Sequence, residues 1–170
     1  MGKREKKIEA IKKYIGNISP NWPVYTYGSI PLGKARNACS SYAGAVQPKD
    51  ILGLIDITIT NNGKKGLLFT EHKVYYDNGF LESKGVVSYQ SVSENGTIPN
   101  ALLGTQYNKQ ALIELVSLLS KIDSETVLEK IERGIDAGNE LLDVGNNFLD
   151  AITKLGDFLD RLVDDSSSKK

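Results

Sequence analysis

Residues 50–79 read "DILGLIDITITNNGKKGLLFTEHKVYYDNG", and this stretch determines the fold class. It holds three short runs rich in β-branched and aromatic residues, 50–60, 65–70 and 73–77, and a fourth run follows at 85–92. Asn-Gly dipeptides punctuate the runs, and Asn-Gly favours tight hairpin turns because both central residues need positive φ. The gaps between the runs are too short for crossover helices. The stretch therefore predicts an antiparallel meander.

Helical periodicity replaces the strand pattern on both sides of this meander. Residues 3–15 place isoleucines at helical spacing among lysines, and the Ala-rich segment 34–46 ends before Gln47-Pro48. Helical spacing returns at 109–123, and Asp123 or Ser124 can cap a further helix. The order helix, helix, sheet, helix, long helix predicts an α+β fold with N-terminal helices, a capping helix and a long C-terminal amphipathic helix.

These patterns divide the chain into four segments. Residues 1–30 hold a basic helix and a linker rich in proline and aromatic residues, and residues 31–123 hold the α+β domain. We expect residues 124–165 to form an acidic amphipathic helix with repeated glycines. We expect residues 166–170 to be a disordered tail.

Composition and charge narrow the class of protein. The chain is 40% hydrophobic and 25% charged, as in ordinary globular domains, so we expect it to fold. Its 21 basic and 21 acidic residues balance, but residues 1–13 carry a net +4 and residues 124–165 a net −7. The single cysteine, Cys39, excludes an internal disulfide and suits a reducing compartment. Without a secretory h-region or a long apolar run, we expect a soluble cytoplasmic protein.

Catalytic signatures are missing from the sequence. We expect the single histidine, His72, to be a solvated turn residue, and no nucleophile elbow, P-loop or dinucleotide-binding motif occurs. Asp56 interrupts the apolar run "LIDITI", and we expect it to bond to nearby backbone or to Thr58 and Thr60 hydroxyls. Few aromatic residues lie near the basic ones, which disfavours nucleic-acid binding. We therefore expect no enzyme, no cofactor, no metal site and no nucleic-acid partner.

Glycines lie at the centre of the apolar face of residues 124–165. At 100° per residue, the four glycines fall within an arc of about 40°. Each costs about 0.5–1 kcal/mol of helix propensity relative to alanine. Close approach of another backbone would compensate for this cost. The candidate interaction residues of this groove are Gly134, Gly138, Leu141, Gly145, Phe148, Ile152 and Gly156.

Several uses of this groove stay open. It can bind the same segment of a second subunit or another protein. The segment can instead break at Gly145-Asn146-Asn147 into a helical hairpin, or pack on its own domain. A membrane-surface helix is disfavoured because the polar face is acidic.

The stretch "KKGLLFTEHKVYYDNGFLESKGVVSYQSV", residues 64–92, resembles the core of bacterial pleckstrin-homology-like domains. The preceding "IPLGKARNACSSYAGAVQPKDILGLIDIT" resembles the helix and first strand that open some of these domains, so the resemblance covers residues 31–122. It implies a strongly bent antiparallel sheet closed by a C-terminal helix, for which "NKQALIELVSLLSKI" is the candidate. The chain after Val92 has room for only one or two short strands, so we expect an incomplete pleckstrin-like sheet.

Pleckstrin-like domains often bind ligands through the loop between their first two strands, which here reads "NNGKK". The resemblance therefore makes Lys64 and Lys65 candidates for an anionic-ligand loop. We expect a non-enzymatic interaction or scaffolding module that self-associates, or binds a protein partner, through the C-terminal helix. One alternative is a lipid- or membrane-surface adaptor that uses Lys64, Lys65 and the basic N-terminal helix. Another is an immunity or inhibitor-type protein that covers a basic partner.

Overall fold

The computed structural model describes residues 1–79 and 82–132, which form an α+β fold with a bent antiparallel sheet. Short 3₁₀ turns at Pro48–Asp50 and Asn100–Leu102 connect its elements. The helices and strands of the described residues are, in chain order, α1 (Lys3–Ile18), β1 (Val24–Thr26), α2 (Leu32–Ser41), β2 (Gly53–Asp56), β3 (Gly66–Phe69), β4 (Lys73–Asp77), β5 (Lys84–Ser88), α3 (Tyr89–Asn95) and α4 (Lys109–Glu132).

The sheet of the described residues is a meander in which each strand pairs antiparallel with its sequence neighbour. This arrangement confirms the predicted antiparallel meander. A row of facing residues crosses the sheet from edge to edge, and it consists of Tyr25, Leu54, Leu68, Tyr75 and Val86. Because neighbouring residues of a strand point to opposite faces, this row lies on one face and the residues beside it lie on the other.

Each face of the sheet has its own core. One face packs against α1, α3 and α4, and its buried residues include Ile11, Ile15, Leu67, Phe69, Val74, Leu115 and Leu119. The other face packs under α2, and its buried residues include Ala35, Ala38, Leu54 and Leu68. Gly53 allows α1 to approach closely, because a Cβ there would lie 2.7 Å from Ile11 Cγ2 and 2.9 Å from Ile15 Cδ1.

The three Asn-Gly dipeptides have different roles. Asn62-Gly63 and Asn78-Gly79 lie between strands as predicted, and both glycines have positive φ, 78° and 96°. The β2–β3 connection nevertheless spans residues 57–65 and is not a two-residue turn. Asn95-Gly96 is not a hairpin turn. It ends α3, with Gly96 at a φ of 62° and its N–H bonded to Val92 O at 2.9 Å.

The run 85–92, predicted as a single strand, divides after Ser88. Ser88 ends β5 and caps α3, where its side chain accepts a hydrogen bond from Ser91 N at 3.4 Å. Tyr89 is the first residue of the helix and is completely buried. Local capping and burial of this aromatic ring thus override the β propensity of the run.

Strand β1 forms inside the segment 19–33, which the sequence predicted to be an irregular linker. Val24 faces Ile55 of β2, and Asp56 N donates to Pro23 O at 3.0 Å. Proline is tolerated here because β1 lies at the edge of the sheet and needs hydrogen bonds on one side only.

Helix α4 runs through Asp123 and Ser124 without a break, so neither residue caps a new helix. The boundary predicted between 123 and 124 is therefore wrong as a helix boundary. Helix α1, which the sequence placed in a separate N-terminal segment, packs on α4 and contributes Ile11, Ile15 and Ile18 to the main core. The first and last helices of the described residues thus belong to one folded unit.

Candidate interaction site

The 57–65 loop joins β2 to β3 at one end of the sheet and contains both residues predicted for the anionic-ligand site. Lys64 is exposed and Lys65 is partly exposed. Positive φ values at Asn61 (51°) and Gly63 (78°) fold the loop back toward β3. At the end of the sheet next to this loop, the paired residues of strands β2 to β5 are Asp56, Gly66, Asp77 and Lys84.

The carboxylate of Asp56 anchors this loop. It is completely buried and accepts hydrogen bonds from Thr58 N (3.0 Å), Thr58 Oγ1 (2.5 Å) and Gly63 N (2.9 Å). Lys34 Nζ, from α2, donates a fourth at 2.9 Å. Burial alone would raise the pKa of Asp56, but the hydrogen bonds from Thr58 and Lys34 outweigh it and lower the pKa. The ionised carboxylate therefore binds both ends of the loop.

Helix α2 supports the loop from the side. Lys34 Nζ also donates to Asn61 Oδ1 at 2.5 Å, and Asn37 Nδ2 donates to Asn62 O at 2.7 Å. Gly63 packs so tightly on the helix that a Cβ would lie 2.8 Å from Lys34 O. Tyr25 OH donates to Asn61 Oδ1 at 3.3 Å from the neighbouring strand β1. These contacts hold the loop in one shape.

The outer portion of the loop presents one apolar side chain. Ile59 is 96% exposed, whereas Ile57, at the start of the loop, is 8% exposed and belongs to the core. Neither Lys64 nor Lys65 forms an ion pair with any residue that the structure describes. The loop thus combines a rigid backbone, a solvent-exposed isoleucine and two lysines.

A second polar cluster lies at the opposite end of the sheet. Lys7 Nζ is completely buried and donates to Asp123 Oδ1 at 2.5 Å and to Glu71 O in the β3–β4 turn. Arg4 pairs with the Glu71 carboxylate at 3.3 Å. His72 is 69% exposed, as expected for a solvated turn residue, with Nδ1 3.6 Å from Asp123 Oδ1. Hydrogen bonds and ion pairs of this cluster therefore join α1 to the β3–β4 turn and to α4.

The basic loop of the predicted lipid adaptor and the start of its basic helix therefore lie at different ends of the sheet. Lys64 and Lys65 lie at the end of the sheet marked by Asp56, and the start of α1 contacts Glu71 at the other end. Lys7 is also unable to meet a partner because it is buried against Asp123. Of the basic residues in that prediction, Lys64 in the 57–65 loop and Lys12 and Lys13 in α1 are exposed.

Two clefts among the described residues are not lined by any residue of the 57–65 loop. One, of about 210 Å³, lies between α1 and α4 and is lined by Tyr14, Asn17, Ala111, Glu114 and Leu118. Another, of about 390 Å³, is lined by Ile30, Leu32, Ala35, Gln47, Pro48 and Lys49. Among residues 1–79 and 82–132, no three His, Cys, Asp or Glu side chains are placed to hold a metal ion. In the same portion of the chain, no helix has both the length and the apolar character of a membrane span.

The predicted groove of the C-terminal segment lies outside the described residues. This applies to all of its candidates, Gly134, Gly138, Leu141, Gly145, Phe148, Ile152 and Gly156. The groove therefore stays a prediction from the sequence.

Only part of the loop site could be predicted from the sequence. It predicted the bond between Asp56 and Thr58, which the structure confirms, whereas the Thr60 hydroxyl instead accepts from Asn62 Nδ2 at 2.7 Å. It missed Lys34, which lies 22 positions from Asp56 and carries no local signal. It also missed Ile59, because alternation along "DITIT" predicts a strand, and a strand would bury alternate apolar residues.

Neither a protein-family model, nor a curated protein, nor a solved structure matches this chain. The structure defines an α+β protein with a bent, open antiparallel sheet of five strands among its described residues. The resemblance of residues 31–122 to pleckstrin-like domains stays a prediction.

Proposed function

We propose that this protein is a non-enzymatic interaction module of the cytoplasm that self-associates through residues 124–165. Among the described residues, the two completely buried charged side chains, Lys7 and Asp56, both serve to join elements of the fold. Neither side chain is available to a partner, and the contact that we propose is made by the amphipathic C-terminal segment.

The proposal rests on the continuity of α4, which extends from the core to Glu132. The buried side chains of α4 include Leu119 and Ile122, and the helix continues to Glu132. It therefore leads from the core directly into the amphipathic sequence with glycines at the centre of its apolar face. A helix that joins the core without a break is well suited to present such a face to another subunit.

Energetic reasoning supports a close helix contact. Four interior glycines together cost about 2–4 kcal/mol of helix propensity. A face without side chains at its centre lets a second backbone approach closely and gain dispersion contacts, which offsets that cost. The face also keeps Leu141, Phe148 and Ile152 beside the glycines, so apolar burial adds to the contact.

Light scattering of the intact chain over a wide concentration range tests the proposal. The molar mass should rise from one subunit toward a dimer or a higher oligomer. Replacing all four of Gly134, Gly138, Gly145 and Gly156 by leucine should lower the association constant about tenfold or more, because leucine blocks close approach. Alanine at the same positions should also weaken association, although it favours the helix.

The matched control is Gly16→Leu in α1, where a Cβ meets open space. It should leave the association constant unchanged. A chain that stays monomeric at every concentration would overturn self-association. If the leucine variant of such a monomer is also less stable, the groove packs within its own chain.

A further inference from the structure

We propose that strand β5 is a second self-association surface, at which two copies of the chain pair their β5 edges antiparallel about a two-fold axis at Val86. The two sheets then form one continuous sheet across the dimer. The proposal goes beyond self-association through residues 124–165 and does not depend on that segment. It rests on the backbone of the β5 edge, on the contrast with β1 and on the order of the side chains along β5.

The backbone of β5 directs hydrogen-bonding groups away from the sheet. In an antiparallel pair, alternate residues exchange bonds with the neighbouring strand, and the residues between them point their N–H and C=O groups outward. Tyr89 N donates to His72 O at 3.0 Å, so Val87 and Gly85 are the residues of β5 that bond to β4. Val86 lies between them and faces outward. Among the described residues, no hydrogen bond reaches its N–H or its C=O.

The opposite edge of the described sheet, at β1, is closed by its own turn. Tyr27 N bonds to Leu52 O of the β2 side, so Thr26 holds the outward position. Thr26 N donates to Ser29 Oγ at 3.2 Å, and Thr26 O accepts from Ser29 N at 2.8 Å. Folded proteins block strand edges in such ways because an open edge pairs readily with another strand. The edge at β5 is therefore the one suited to strand addition.

The side chain of Val86 favours a second copy of β5 as the added strand. Val86 ends the row of facing residues that crosses the sheet, and it is 50% exposed. The core under α2 includes Leu54 and Leu68 of this row but not Val86. Pairing about a two-fold axis places each Val86 directly opposite its counterpart. The apolar row then continues from one sheet into the other, and each valine covers the exposed part of its counterpart.

The charges along β5 are compatible with this register. With Val86 on the axis, Lys84 of one copy lies opposite Ser88 of the other, so no like charges face each other across the two β5 strands. Asp77 of β4 lies beside Lys84 and offsets its charge. Lysine on an edge strand often repels incoming strands. Here Lys84 Nζ donates to Ser41 O at the end of α2, which holds the ammonium over its own subunit.

Disulfide trapping in the full chain tests the proposal, with Cys39→Ala as the background so that the introduced thiol is the only one. Val86→Cys should give a linked dimer under mild oxidation, because directly paired Cα atoms lie about 5.5 Å apart, within disulfide range. Lys84→Cys is the matched control, because its counterpart in the second copy lies about 14 Å away along the strand. The initial rate of dimer formation should be about tenfold or more higher for Val86→Cys.

A proline at position 86 tests the hydrogen bonds of the edge. Val86→Pro removes the outward N–H, which serves no bond within its own sheet, and edge strands tolerate proline at such positions. Light scattering is performed on the chain in which leucine replaces the four glycines of residues 124–165. In that background, Val86→Pro should lower the association constant by about tenfold or more. Urea titration checks that the proline variant is folded.

The ratio of the cross-linking rates separates this contact from association through residues 124–165. Leucine at the four glycines should leave the ratio unchanged. Equal rates for Val86→Cys and Lys84→Cys would overturn the pairing of β5 with itself, whatever the molar mass of the native chain. An association constant that a folded Val86→Pro variant leaves unchanged would also overturn it.

Discussion

Lys7 Nζ donates a hydrogen bond to Asp123 Oδ1 at 2.5 Å and so joins two residues 116 positions apart. The lysine is completely buried, and the Asp123 side chain is 17% exposed. Lys7 Nζ also lies 5.1 Å from the centroid of the buried Tyr89 ring. One ammonium group thus joins the first helix, the last helix of the described residues and the aromatic residue that begins α3.

Removing this ammonium should destabilise the fold. Lys7→Met leaves Asp123 partly buried without its partner, and we expect the free energy of unfolding to fall by about 3 kcal/mol. Urea titration followed by circular dichroism measures the change. Lys12→Met is the control, because Lys12 is exposed and its pairing with Glu9 is weak, worth about 0.5 kcal/mol or less. Equal losses for the two variants would contradict a structural role for the buried pair.

Asp56 should make stability depend on pH. Burial opposes ionisation, but the bonds from Thr58 and Lys34 outweigh it, so the pKa in the folded protein is lowered from the ordinary value of 3.8. The stabilisation is therefore complete above the ordinary value and is lost as pH falls through the lowered pKa. Asp56→Asn removes the charge and should lower the free energy of unfolding by about 2–3 kcal/mol at neutral pH.

The difference between the native chain and Asp56→Asn should shrink as the pH falls below about 4. Thermal or urea unfolding at a series of pH values measures it. Asp50→Asn provides a control with an aspartate that lies outside the loop network. A difference that is independent of pH would show that ionised Asp56 does not stabilise the loop.

Gly66 should tolerate no side chain. It has a φ of 137°, and a Cβ there would lie 1.8 Å from Ile55 O in the paired strand. We expect Gly66→Ala to cost about 3 kcal/mol or more of unfolding free energy. Gly16→Ala should instead gain about 0.5–1 kcal/mol, because Gly16 lies in α1 with open space around its Cα. Chemical denaturation of both variants measures these changes in the free energy of unfolding. If Gly66→Ala leaves this free energy unchanged, the strand pairing at Gly66 is refuted.

Cys39 should react slowly with thiol reagents. Burial raises the pKa of its thiol, and the charge of Asp50 raises it further. Since the thiolate is the reactive form, the rate with a disulfide reagent at neutral pH should be several-fold lower than for the chain unfolded in urea. Absorbance measurements of the released chromophore give both rates. Equal rates in the folded and unfolded chain would be inconsistent with the position of Cys39 against the core under α2.

Patterns with a clear period were predictable from the sequence. The meander, α1 and the start of α4 follow from alternation or helical spacing over several residues, and tertiary contacts did not overturn them. Boundaries were less predictable. Ser88 ends a run of β-favouring residues by capping α3, and Asp123 lies inside α4 although its side chain suits a helix start. The Ser88 side chain accepts from Ser91 N at the start of α3, whereas the Asp123 side chain pairs with Lys7 from within a continuous helix.

In the candidate site, too, local contacts could be predicted from the sequence and distant contacts could not. Asp56 and Thr58 are two positions apart, so their hydrogen bond could be expected from the sequence. Lys34 completes the network from α2, and its role appears only when α2 lies on the sheet. The Asn62-Gly63 turn predicted a loop beside Lys64 and Lys65, and a family resemblance gave these lysines a candidate ligand role. The exposure of Ile59 instead follows from how that loop is folded.

By itself, the sequence determined the fold class, the antiparallel connection of β2 to β5 and the place of the basic loop, because these depend on short-range periodicity and turn chemistry. Tertiary structure alone decided that Lys7 is buried against Asp123 and that Lys34 anchors the 57–65 loop. It also decided that the basic loop and the start of α1 lie at opposite ends of the sheet. The physical reason is that a long charged side chain carries no local signal of its partner. Its role depends on which distant carboxylate the packing of helices against the sheet brings within hydrogen-bonding distance.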